Sequence, residues 1–333
     1  MKRVILDTDI GTDVDDALAL VLAAGSPELQ IDAVTTVHAD APLRARIARR
    51  LLLLAGREDI PVVAGASLPL QLPLPEAFHW QPRLWGHEGV GILGEAELSQ
   101  SDDLESCRDD AARFIVDHVT AHPGGVSLIT IGPLTNVGRA LELRPGIANL
   151  IRDLTVMGGL VDDTKLDWPP QMETNLNADP KAAQIVLDST IPTTLIPLEV
   201  TTQTYLTGAQ REEVRSWNTP LSAALSALMD GMMDNFDLFA ERVGLPEGIF
   251  RERTLLIDPI AIYAAMACRL IDVRRQSVRL EVRNRVLRTM REPAGTPNMN
   301  VCVDVDVDGF VDFWIDRVKR IASRSCCHEP GKK

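Results

Sequence analysis

The chain reads as one α/β domain built on a largely parallel sheet, and three observations predict it. Short apolar or β-branched runs alternate with stretches of helical period, the pattern of successive βα units. The apolar share of 45% and charged share of 24% are those of a packed globular protein. A length of 333 residues is enough for one large α/β domain with a sizeable core.

Taken in order, VIL at 4–6 is a strand and ALALVLAAG at 17–25 a helix. IDAVTTV at 31–37 is a strand, RARIARRLLLLAG at 44–56 a helix and PVVAG at 61–65 a strand. After a gap the rhythm resumes with a helix at 112–122, a strand at 126–132, a helix at 134–143 and a strand at 154–159. A helix near 179–189 and a strand over TTLIPLEV, 193–200, follow. Two stretches break the alternation. Residues 66–104, rich in proline and carrying Trp80 and Trp85, form a long irregular excursion, which in a compact domain is usually functional. Residues 201–254, rich in Leu, Ala and Met, read as largely helical. The domain is expected to run over 1–325, with 326–333 a disordered tail in which Cys326, Cys327 and His328 are not expected to bind a metal.

A net charge of −13 opposes nucleic acid or an anionic membrane as the main partner, since both are held by clustered Lys and Arg. A small molecule suits it better. The odd count of five cysteines, none in a CxxC pair, points to a reducing cytoplasm. No run approaches the roughly 20 apolar residues of a membrane span, and the N-terminus has no signal-peptide core, so a soluble cytoplasmic protein is expected.

The most informative stretch is DTDIGTDVDD, which sets Asp7, Asp9, Asp13, Asp15 and Asp16 in ten residues directly after the first strand. In a parallel sheet that loop lies at the carboxyl edge, where ligands bind. Capping of the next helix accounts for one or two aspartates there. Five would repel one another unless protonated or neutralised by a cation, and oxygen-only ligation favours Ca²⁺ or Mg²⁺ over zinc.

Two classes begin this way. Haloacid-dehalogenase-like phosphotransferases carry DxDx[TV], with the first aspartate as nucleophile and Mg²⁺, but Asp7-Thr8-Asp9-Ile10 is followed by Gly11. The whole of DTDIGTDVDDALAL instead resembles the inosine-uridine nucleoside hydrolase signature DxDxGxDDAxA, here with two extra residues before the paired aspartates. Further similar segments follow in order: VTTVHAD (34–40), WGHEGVG (85–91), TIGPLTNVGRAL (130–141), VMGG (156–159), METNLNADPKAA (172–183), PLEVT (197–201) and LIDPIAI (256–262). The resemblance implies a mixed, mostly parallel sheet with a Rossmann-like core flanked by helices, one bound Ca²⁺, and hydrolysis of the N-glycosidic bond of ribonucleosides. It implies Asp9, Asp16, the main-chain carbonyl of Ile131 and Asp258 as Ca²⁺ ligands, with Asp7 behind them. Asp15, Asp40, Met157, Glu173 and Asn175 would line the ribose, and a homodimer or homotetramer is expected.

The chemistry fits these residue types. Breaking a ribosyl C–N bond passes through an oxocarbenium-like centre, which carboxylates stabilise. Asp9 is expected to be the base that takes a proton from the attacking water, which a metal acidifies. Three departures stand out. Ile257 occupies the place where many relatives of this kind have a histidine that protonates the leaving base; Asp40 stands for a usual asparagine; Trp85 stands for a usual histidine. Leaving-group activation is therefore expected from stacking on Trp80 and Trp85, with His79 and His87 as possible donors, which favours purine nucleosides slightly. Phe236 and Phe239 could face the base, although their spacing also suits the core.

Other features are expected to be inert. DVDVDG at 304–309 imitates an EF-hand start, but its twelfth position is Ile315, so it is read as a strand with a following turn. Arg44, Arg46, Arg49 and Arg50 are read as the solvated face of a helix whose Leu51–Leu54 side is buried. The expectation is thus a Ca²⁺-dependent ribonucleoside hydrolase; a Mg²⁺-dependent phosphatase with Asp7 as nucleophile, or a non-catalytic nucleoside-binding protein, are the alternatives.

Overall fold

The computed structural model describes residues 1–72, 86–100, 103–104, 106–162, 164, 166, 173–243, 253–266, 269–283 and 286–325, without the side chains of 236–243 and 325. Trp80, Trp85, His79 and the tail 326–333 lie outside the described residues, as do the side chains of Phe236 and Phe239.

The strands are β1 (Lys2–Thr8), β2 (Leu29–Thr36), β3 (Val62–Ala64), β4 (Val126–Thr130), β5 (Leu154–Met157), β6 (Thr193–Ile196), β7 (Tyr205–Thr207), β8 (Arg253–Leu255), β9 (Ile271–Gln276), β10 (Val278–Arg283), β11 (Val286–Arg291) and β12 (Met299–Val305). Eight of them form one sheet in the order β3-β2-β1-β4-β5-β6-β12-β9, parallel throughout except where β9 runs against β12. The order reverses direction between β1 and β4, so a crevice opens beyond the carboxyl ends of these two strands.

The helices are α1 (Asp15–Ala24), α2 (Ala41–Leu54), α3 (Glu95–Leu98), α4 (Asp110–Ala121), α5 (Thr135–Leu143), α6 (Thr174–Ala178), α7 (Pro180–Leu187), α8 (Leu198–Thr201), α9 (Gly208–Ser216), α10 (Pro220–Val243), α11 (Ile257–Met266) and α12 (Val307–Ser325). They cover both faces of the sheet. Strand β1 divides its side chains by the period of two: Val4 and Leu6 join the core under α1, α2, α11 and α12, while Ile5 joins the core under α4, α5 and α7. Among the described residues no helix is long and apolar enough to cross a membrane.

Three sequence expectations are corrected or refined. The strand read over 193–200 stops at Ile196, because Pro197 caps α8, which takes up LEVT. The region 201–254 is largely helical as read, through α9 and α10, and the structure adds one short antiparallel pair, β7 with β8. The turn read after DVDVD is the start of α12: Asp306 accepts from the backbone N–H of Gly309 at 3.1 Å, a capping bond. A fourth correction concerns α2. Arg44 is not solvated but 2% exposed, whereas Leu53 is 43% exposed, so the face read as solvated carries a buried cation.

Candidate active site

Asp9 follows β1 and Ile131 follows β4, so both flank the crevice at the switch in strand order. Asp15 and Asp16 open α1, Asp258 opens α11, and the two helices pack against each other. Their positive dipole ends therefore meet at one place. There the carboxylates of Asp15, Asp16 and Asp258, all buried, bring ligand oxygens within 4.8 Å of one another.

Asp9 stands beside this trio, half-buried, and its charge acts on Asp15, Asp16 and Asp258. Burial first, then mutual repulsion, pushes the carboxyls of Asp15, Asp16 and Asp258 well above the ordinary range. Burial raises Asp9 to about 6, against the pull of the Arg44 guanidinium. Thr8 donates its hydroxyl to Asp16 at 2.5 Å. A cation would remove the cost of this crowding, and the donor set is all hard oxygen. A spread of 4.8 Å is within reach of oxygens at opposite sides of a Ca²⁺, roughly 2.3–2.6 Å from it. The residues fit such an ion.

Close approach at this point requires glycine. A Cβ on Gly132 would lie 2.6 Å from Asp9 Oδ1 and 2.8 Å from the Asp9 backbone nitrogen. Gly11 has φ of +120°, and a Cβ there would lie 2.7 Å from Ile47 Cδ1.

Asp7 sits beneath the others. Its Oδ1 accepts from Thr35 at 2.5 Å and from Asn136 Nδ2 at 2.8 Å, while Oδ2 is buried with no partner among the described residues. Burial raises it to about 7. At 2% exposure and with Oδ1 tied to Thr35 and Asn136, it is poorly set for attack on a phosphate, which counts against the phosphotransferase alternative. Asn136 also donates to the Thr36 carbonyl and accepts from the Ala66 N–H, tying β2 and the loop after β3 to the floor of the site.

Of the residues expected at the ribose, Met157, Glu173 and Asn175 gather at and beyond the end of β5. Asn175 Nδ2 donates at 3.2 Å to the carbonyls of Ile131 and Met157, so it bridges the ends of β4 and β5. Glu173 accepts from the backbone of Asn175 at 2.6 Å and of Leu176 at 2.9 Å, capping α6, and burial raises it to about 7. Asn177 ties this turn to β11 by exchanging two bonds with the Leu287 backbone, at 2.8 and 3.1 Å. Glu199 on α8 accepts from Val161 and Asp162 at 3.2 and 2.9 Å; burial raises it too to about 7.

Asp40 caps α2 through the Leu43 N–H at 2.9 Å. His87 donates from Nε2 to the Thr12 carbonyl at 2.7 Å, since a carbonyl can only accept; that hydrogen is committed to the loop. Ile257 packs on the apolar core. Arg44, Asn136 and Asn177 were missed as site-shaping residues, because each acts mostly on backbone groups far away in sequence.

The inosine-uridine preferring nucleoside hydrolase family matches residues 4–312. The chain is similar to a pyrimidine-specific ribonucleoside hydrolase of Salmonella arizonae, 32% identical over 95% of this chain and 98% of that one. A second pyrimidine-specific ribonucleoside hydrolase, from Citrobacter koseri, is 30% identical over 96% of this chain and 99% of its own. Among solved structures, the purine-preferring ribonucleoside hydrolase of Gardnerella vaginalis superposes with a TM-score of 0.78 at 27% identity, covering 97% of this chain and 100% of that one.

Proposed function

Because the chain belongs to the inosine-uridine preferring nucleoside hydrolase family, and so is an enzyme acting on ribonucleosides, we propose that it uses Ca²⁺ to release the free base and ribose, with Asp9 as the base. The observation that carries this is the convergence of Asp15, Asp16 and Asp258 within 4.8 Å beside Asp9.

In this reading Asp16 and Asp258 hold the ion together with Asp9 and the Ile131 carbonyl, the set implied by resemblance, and Asp15, whose carboxylate lies in the same 4.8 Å cluster, serves the ribose hydroxyls. When bound, Ca²⁺ supplies the charge that lets these carboxylates ionise together, acidifies water beside it and attracts the ribose hydroxyls. Asp9 takes the proton of the water that attacks C1′, helped by a pKa near 6 that leaves it ionised at neutral pH. Glu173 and Asn175 hold the ribose hydroxyls, Met157 lines the sugar, and the surrounding carboxylates stabilise the positive charge that develops as the C–N bond breaks.

For the base, a slight purine preference follows from Ile257, which supplies no proton, so a base activated by stacking is the better leaving group. The pyrimidine-specific relatives argue the other way. Association into a homodimer or homotetramer belongs to the same reading, as does a reducing, cytoplasmic setting, in keeping with Cys107 and Cys302, which are buried and in no disulfide.

The test is release of reducing sugar from inosine, adenosine, guanosine, uridine and cytidine, with Ca²⁺ and after chelator treatment. Chelator-sensitive release is expected, with purines ahead; chelator-resistant release would remove the metal, and uridine or cytidine ahead would remove the purine preference. Deoxyinosine should be a poor substrate, since it lacks one of the two hydroxyls the ion attracts.

A further inference from the structure

Between Gly11 and the paired Asp15 and Asp16 this chain has two more residues than the family signature, and the described residues 9–14 belong to no helix or strand. A loop of this kind has no ladder of its own to fix its backbone. Arg44 supplies what is missing. Its guanidinium donates to the carbonyls of Asp9 and Ile10, the latter at 2.9 Å, to the Thr12 hydroxyl at 2.9 Å, and from Nε to the His38 carbonyl at 2.8 Å.

Every one of these acceptors is a neutral oxygen, although the group is 2% exposed. A buried guanidinium normally needs a carboxylate beside it. Here the balancing charge lies further off: Arg44 acts on Asp9, Asp13 and Asp16 without being paired to them. The neighbouring backbone is shaped to suit. His38 and Ala39 take φ of 71° and 54°, a conformation non-glycine residues rarely adopt, at the turn that presents the His38 carbonyl. Thr12 is held twice, by Arg44 on its hydroxyl and by His87 on its carbonyl.

We infer that Arg44 is a positioning residue for the metal loop: its planar fork clamps residues 9, 10 and 12 against residue 38, so that Asp9, Asp15 and Asp16 are in place before the cation arrives. The inference rests on reading the acidic centre as a Ca²⁺ site. A lysine keeps the charge and much of the volume but has no fork to span four oxygens from separate segments.

The experiment is calorimetric titration of Ca²⁺ alone into chelator-stripped full-length protein. Arg44→Lys is expected to bind Ca²⁺ about tenfold more weakly, the scale at which losing an orienting partner of a ligand is felt, with its metal-free melting temperature close to the parent's. Arg44→Met should lose more, and added guanidinium ion should restore part of the affinity. Val318→Ala, a core truncation on α12 away from the site, controls for general loosening and should keep the parent's affinity. Arg44→Lys binding Ca²⁺ as tightly as the parent, or Val318→Ala losing as much as Arg44→Lys, overturns the inference. A parent that takes up no Ca²⁺ overturns the metal reading and this inference with it. A parent that binds Ca²⁺ but releases sugar from no nucleoside overturns only the substrate reading, and the loss in Arg44→Lys still supports the clamp.

Discussion

Replacing Asp9 by asparagine keeps the shape of the side chain and removes its ability to accept a proton. Turnover should fall by about three orders of magnitude, within the range a positioned general base supplies, while the fold persists; substantial residual activity in Asp9→Asn would take the role of base away from it. Gly132→Ala tests the same group from the other side. A methyl 2.6 Å from Asp9 Oδ1 and 2.8 Å from the Asp9 backbone nitrogen must displace side chain and main chain together, so activity and melting temperature should both drop, as kinetics and scanning calorimetry would read. Asn136→Ala takes one partner from Asp7 and leaves a buried carboxylate oxygen and two backbone groups without their amide, a loss on the order of 1–3 kcal/mol by chemical denaturation. These acidic residues were legible because five carboxylates after a strand demand a reason. Arg44 was not. Three of its four partners are main-chain carbonyls, at positions 9, 10 and 38, which leave no side-chain signature, and within RARIARR the period of the helix made it look like one more solvated arginine.

At the level of elements, the strands of the sheet were readable because each is an apolar run of the right length between breakers. Ends and short insertions were not, since local composition is outweighed there by a single contact. LEVT has strand-like residues yet becomes α8 behind Pro197, and Asp306 turns an acidic strand end into the cap of α12. The five-residue α6 is the sharpest case. A helix that short has no stability of its own, so Glu173 and Asn175 stay where they are because Asn177 grips the Leu287 backbone of β11. Asn177→Ala should therefore raise KM for a ribonucleoside about tenfold, more than it lowers kcat, the pattern of lost uniform binding. Steady-state kinetics with an unchanged KM would mean that the β10–β11 hairpin is not what seats α6.

Across the whole molecule, burial of carboxyls sets how stability depends on pH. Burial raises Asp7, Glu173 and Glu199 to about 7 and Asp9 to about 6 in the folded chain, from the ordinary 3.8 for Asp and 4.5 for Glu. The folded state thus keeps protons that the unfolded state has already released, so the associated stability is full below about pH 4 and is lost as pH rises through 6 to 7. Metal-free protein should melt at progressively lower temperature from pH 5 to pH 8. Ca²⁺ binds only deprotonated ligands, so the rise it causes in melting temperature should be larger at pH 8 than at pH 5; scanning calorimetry at the two values reads both effects. The meeting of α1 and α11 also bears on how the chain folds. Their first turns hold the trio together, yet most of the sequence separates them, so closing this contact carries a loop entropy that local structure cannot offset early. The cation's grip should therefore be absent from the transition state: in stopped-flow experiments Ca²⁺ should slow unfolding and leave the refolding rate nearly unchanged. The ion would then act as a late latch on the finished molecule, prolonging its lifetime without speeding its birth.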